Sequence, residues 1–302
     1  MSAEYSKYDL RRAFLVLGSA AIAAVAASGC SPFGSEGETG LPDIDRLAKF
    51  VASEFGFSNV HLGYIPESSR SLRTERGMET NSTEQFPDQQ SMQQALRTLV
   101  EGMSLYSPEF IDLIRERNVT ISLCYSFKTG INGVSNPSSA NSITSETDSI
   151  MMIDASVDFL LRWALDHELF HAVLERMTNI NEVANLVETF TEIDTTHGLS
   201  GYSPDLVTNC SLSQSTITPG HAGCYSYLNP HEEAAEIARQ LFSGDWNLWD
   251  RINPGNDEVL ALKVAHVVKI YEKATNGKMD LAYFERISLG KENDPWGYGL
   301  VG

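Results

Sequence analysis

Positive charge is scarce in this chain: 22 Lys and Arg stand against 40 Asp and Glu, for a formal net charge of −18 over 302 residues. With no basic cluster, a nucleic-acid partner is excluded and an anionic lipid surface is disfavoured. Cysteine is also sparse, four in all, with no four-cysteine metal pattern. There is no internal repeat, and no apolar run reaches the roughly 20 residues that a membrane-spanning helix needs. The longest such run, Ala13 to Ala27, follows Arg11-Arg12 and ends in Ala27-Ser28-Gly29-Cys30.

A basic pair, a short apolar core and small residues before a cysteine make up an export signal rather than a piece of the fold. The ending resembles the lipobox of bacterial lipoproteins, which implies cleavage before Cys30 and a lipid on its thiol. The expected product is an exported lipoprotein, anchored to a cell-envelope membrane and facing the periplasm or exterior. The Arg pair is compatible with either the general or the twin-arginine export route. Outside the cytoplasm disulfides persist. Cys210 and Cys224 flank a Ser-, Thr- and Gly-rich loop and are the expected bridge, while Cys124, in the apolar run Val119 to Tyr125, reads as a small buried thiol.

The expected organisation is a signal peptide over 1–29, a flexible tether over 30–42, a catalytic domain over 43–290 and a tail over 291–302. Residues 43–118 are either part of that domain or a separate N-terminal subdomain. Apolar periodicity predicts helices near 47–55, 91–103, 108–117, 157–176, 180–193, 230–242, 259–274 and 281–287. Strands are expected over 59–65, 120–127 and 149–154, with long loops over 128–148 and 195–229.

The chemistry is concentrated in His167-Glu168-Leu169-Phe170-His171. Two imidazoles four residues apart on a helix differ by about 40° in azimuth and about 6 Å in height, so both can reach one metal ion. Glu168, about 100° around the turn, sits beside that ion rather than on it, which suits a base acting on a metal-activated water. A catalytic zinc takes a third protein ligand. Glu182 and Glu188 lie downstream without supporting context. A fuller candidate is Asn229-Pro230-His231-Glu232-Glu233-Ala234-Ala235-Glu236, a capped helix start in which His231, Glu232 and Glu233 are all possible ligands. Glu232 is equally placed to serve as the glutamate of a capping box.

That segment resembles the third-ligand helix of gluzincin metallopeptidases, especially those related to the anthrax lethal factor catalytic domain, with their ExxAE pattern. The resemblance spans about residues 164–174 and 225–239. It implies Glu232 as the third ligand of one Zn2+ per chain, Glu236 as a supporting carboxylate, and Tyr225, seven residues before Glu232, as a transition-state hydrogen-bond donor. The fold expected is α+β and zincin-like, a small mixed sheet packed on the HExxH helix with a mostly helical C-terminal half. The activity expected is peptide-bond hydrolysis on a peptide or protein substrate. The alternatives are a zincin-fold lipoprotein that only binds, and a zinc amidase acting on cell-wall material.

Overall fold

The computed structural model describes residues 44–63, 83–84, 86–127, 142–145, 150–156, 158–203, 219–223, 225–243 and 246–288. Cys30, Cys210 and Cys224 lie outside them, as do the signal peptide, the tether and the C-terminal tail.

Helix α1 (Ile44–Glu54) leads into β1 (Asn59–Leu62) through Gly56, whose φ of +72° only glycine adopts freely. A Cβ there would also meet the Ile111 carbonyl at 2.6 Å. Strand β2 (Thr83–Glu84) is followed by α2 (Gln89–Met103) and α3 (Pro108–Glu116). Both helices start where side chains take up orphan amides: Asp88 accepts from the Ser91 N–H at 2.7 Å, and Ser107, with Pro108 next to it, accepts from Phe110. The chain continues through β3 (Thr120–Cys124), β4 (Ser126–Phe127), β5 (Ser142–Ser145) and β6 (Ile150–Asp154).

The main sheet has the order β1-β3-β6-β5; the first three strands are parallel and β5 runs antiparallel to β6. Strand β3 is buried along both faces, Ile121 and Leu123 on one and Ser122 and Cys124 on the other, as a central strand of a covered parallel sheet must be. β2 and β4 form a separate antiparallel pair. Strand β5 falls inside the stretch that the sequence reads as a loop.

After β6 comes α4 (Asp158–Leu169), continued by one π-helical turn, Phe170–Leu174, closed by the Glu175 N–H donating to the Phe170 carbonyl. The α-helix expected over 157–176 therefore changes its winding at Phe170, just before His171. Leu161, Ala164, Leu165 and Leu169 form the helical stripe that α4 buries. The rest is helical: α5 (Asn181–Ala184), α6 (Leu186–Thr196), a 3₁₀ turn (Tyr225–Tyr227), α7 (Pro230–Ser243), α8 (Trp246–Ile252), α9 (Glu258–Ala274) and α10 (Leu281–Ser288). Helix α4 packs against both α2 and α7, and α7 against α6, α9 and α10. This is the α+β, small-mixed-sheet architecture expected, with its helical half after the HExxH helix. Among the described residues no helix is long and apolar enough to cross a membrane.

Candidate metal centre

The site forms where α4, with its π turn, crosses α7. Asn229 caps α7 by accepting from the N–H groups of His231 and Glu232 at 2.9 and 3.0 Å, with Pro230 as the first helical residue. The Glu232 carboxylate does not fold back to that cap. Its Oε2 lies 3.1 Å from His167 Nε2 and 3.6 Å from His171 Nε2, and the two Nε2 atoms are 3.2 Å apart. Bonds of about 2.0–2.2 Å in tetrahedral geometry separate ligand atoms by about 3.3–3.5 Å, so the triangle has the dimensions of three corners around one zinc-sized ion. Among the described residues, His167, His171 and Glu232 form the group able to hold a metal ion.

The outer nitrogens of both imidazoles decide what the inner ones can do. His167 Nδ1 is 3.2 Å from Glu236 Oε1, and His171 Nδ1 is 2.7 Å from Glu175 Oε2. A carboxylate at Nδ1 places the proton there in a neutral imidazole and leaves Nε2 as a lone pair. Two Nε2 lone pairs and a carboxylate oxygen then point at one another, an arrangement that only a proton or a cation relieves. The residues present therefore fit a metal ion.

Without an ion, protons take that place. Burial alone would lower His167, but the Glu232 and Glu236 carboxylates outweigh it and hold it at about 9. His171, likewise desolvated, is held at about 10 by Glu175 and Glu232. Burial opposes ionisation of Glu175 and Glu236 too. The histidines His171 and His231 draw Glu175 down to about 2, and Arg239 with His167 does the same for Glu236. Glu232 is driven lower still by the two imidazoles, against its own burial. Arg239 completes the support: it donates to Glu236 Oε2 at 2.8 Å while its guanidinium lies 4.3 Å from the centroid of the Trp163 ring.

Glu168 is buried, one residue from the first imidazole. Tyr225 is half-buried and meets the His167 ring edge to face, with centroids 6.3 Å apart. The other ligand candidates point elsewhere. His231 Nδ1 lies 2.8 Å from Glu175 Oε1, Glu233 is sealed in a separate buried cluster with Lys263, Glu188 is exposed, and Glu182 pairs with Lys273. Glu175 and His221 were not singled out in the sequence as parts of the site. Glu175 carries a readable signal, since it stands four residues after His171 just as His171 stands four after His167. His221 has no motif around it; its partner, Glu233, stands on the following helix, α7.

No protein-family model matches the sequence, and no curated protein does. Among solved structures, the fold is similar to that of a candidate zinc-binding metallo-peptidase from Bacteroides caccae ATCC 43185, with a TM-score of 0.52 over 88% of this chain and 97% of that one. At 13% identity the likeness is one of fold.

Proposed function

We propose that this chain is a zinc-dependent metallopeptidase, exported and tethered to the cell envelope through a lipid on Cys30, that hydrolyses peptide bonds with one Zn2+ held by His167, His171 and Glu232. The observation that carries this reading is the triangle of donor atoms with edges of 3.1, 3.2 and 3.6 Å, each imidazole fixed from behind by a carboxylate. The fold likeness supports it.

Bound by His167, His171 and Glu232, zinc would lower the pKa of a water and polarise a carbonyl. The chain's own residues supply the rest. The Glu168 carboxylate is the base: it takes a proton from the attacking water and returns it to the departing amine nitrogen. Tyr225, beside His167, donates its phenolic O–H to the oxygen on which negative charge develops. Glu236 and Glu175 hold the two imidazoles with Nε2 turned inward. The acidic composition favours basic peptide segments as substrates.

The test is zinc content and peptidase activity of the body from Ser31 onward, in wild type, His167→Ala and Glu168→Gln. One zinc per chain, lost in the first variant and kept without activity in the second, is expected. A zinc-replete wild type that retains no metal after dialysis sinks the reading. Cleavage of cell-wall fragments and not of casein would replace peptide by a non-peptide amide as the substrate.

A further inference from the structure

Glu232 faces the metal centre, yet its neighbour Glu233, about 100° further round α7, is the more deeply buried and fully excluded from solvent. Glu233 Oε2 accepts from Lys263 Nζ at 2.7 Å and from the Tyr202 hydroxyl at 2.6 Å, and Lys263 also pairs with Asp194 at 2.6 Å. That leaves Oε1, which is 3.0 Å from Nδ1 of the buried His221. His221 begins the short approach to Tyr225, and its neighbours are held as it is. The Gly220 N–H donates to Asp257, the first capping residue of α9. Arg251 donates to the His221 carbonyl at 2.7 Å, and Gln240 of α7 to the Ala222 carbonyl at 2.8 Å. The His221 ring also packs on Tyr227, centroids 4.7 Å apart, inside the 3₁₀ turn that carries Tyr225.

Three consecutive residues of an irregular, buried segment are thus tied to side chains of α7, α8 and the N-cap of α9. We infer that His221 and Glu233 are positioning residues for Tyr225: the helical turn that offers Glu232 to the metal also fixes, through Glu233 and His221, where the tyrosine stands beside it. This rests on the reading of Tyr225 as the donor to the developing oxyanion. The two functions are carried by adjacent residues about 100° apart on α7, so any shift of that helix moves ligand and tyrosine together. Preorganised donors lose their effect when displaced by about 1 Å, which is why a residue that never touches substrate can matter to turnover.

The experiment is a double-mutant cycle on a quenched fluorescent peptide, read beside zinc content and amide exchange of the metal-free protein. His221→Ala is expected to lower kcat by about tenfold with KM changed by less than about twofold and zinc retained, since one oriented donor is worth about 10²–10³ in kcat. His221→Asn, which keeps an N–H near the Nδ1 position, restores most of the loss. In the Tyr225→Phe background His221→Ala costs nothing further, because it acts through a hydroxyl already gone. Amide exchange over 219–227 rises in His221→Ala while α4 stays protected. Gln240→Leu loosens the same segment from the Ala222 carbonyl and carries the cycle if His221→Ala does not fold. Additive losses in the double variant, or unchanged kcat in His221→Ala beside an impaired Tyr225→Phe, overturn the positioning role alone. Unchanged kcat in Tyr225→Phe instead overturns the tyrosine's role, and the positioning role falls with it; exchange then still tells whether His221 holds the segment.

Discussion

Glu175 Oε2 lies 2.7 Å from His171 Nδ1, and the carboxylate's other oxygen lies 2.8 Å from Nδ1 of His231 on the facing helix. One side chain therefore orients a candidate ligand and ties the π turn to the start of α7. The π winding at Phe170–Leu174 places His171 on a wider turn than an α-helix gives. Its ring direction depends on what holds Nδ1.

Replacing Glu175 is accordingly expected to weaken metal binding rather than folding. Loss of a carboxylate behind a ligating histidine costs about 10–100-fold in metal affinity. Glu175→Ala should lose zinc to a chelator at a correspondingly lower concentration, and Glu175→Gln, which can still accept from Nδ1–H, should fall between. An unchanged chelator midpoint in Glu175→Ala would show that His171 is oriented by packing alone.

Gly223 gives a separate test of the support behind His167. A Cβ at this position would stand 2.8 Å from Glu236 Oε2, and that carboxylate is held in place by Arg239. Gly223→Ala should therefore displace Glu236 from His167 Nδ1 and lower zinc affinity by about tenfold, the small end of the range for such outer partners. Competition with a chromophoric chelator checks it. Unaltered affinity would mean that the segment shifts to make room.

Much of this arrangement is legible in the sequence, and the parts that are not share a physical cause. Helices α2, α3, α4, α7, α9 and α10 announce themselves by apolar periodicity, and α7 also by Asn229 with Pro230 at its start. The HExxH pair is local, so its convergence can be deduced from helical spacing, although the π turn alters the geometry by which it is reached. Strand β5, Ser142–Ser145, has a single apolar residue and takes its identity from pairing with β6 rather than from any pattern of its own. Helix α8, Trp246–Ile252, is too short to show a period. The choice among His231, Glu232 and Glu233 is open in sequence because all three lie in the first turn of α7; only the crossing angle with α4 decides which carboxylate meets the imidazoles. His221 is invisible for the same reason, since its partner Glu233 reaches it only once α7 has packed beside the segment.

The buried cation Lys263 bears on stability. It sits between Asp194 and Glu233, all three sealed from solvent, with Phe190 and Tyr202 rings 5.5 and 5.7 Å away. Lys263→Met would leave two carboxylates buried without their counter-ion, a change that costs about 3–5 kcal/mol. Urea unfolding should show that loss with an unchanged slope. A loss below about 1 kcal/mol would mean that the carboxylates are neutralised by protonation or reached by water.

The histidines set how metal and pH act together on stability. His167 and His171 are raised from 6.5 to about 9 and about 10, so in the metal-free protein their protonated contacts contribute fully below pH 6.5 and are lost as pH rises through 9 to 10. Glu175 and Glu236 are lowered from 4.5 to about 2, so their contribution is complete above pH 4.5 and is lost as pH falls towards 2. The metal-free protein should therefore be most stable between about pH 4.5 and 6.5 and weaken on the alkaline side. Zinc requires the unprotonated Nε2 atoms and displaces those protons, so its stabilisation should grow over the same alkaline range in which the metal-free protein loses its own. Thermal unfolding with and without excess zinc from pH 5 to 9 reads both curves. The gap in Tm is expected to widen steadily with pH. A gap independent of pH would show that zinc does not compete with protons on these two imidazoles, and the ligand assignment would have to be abandoned.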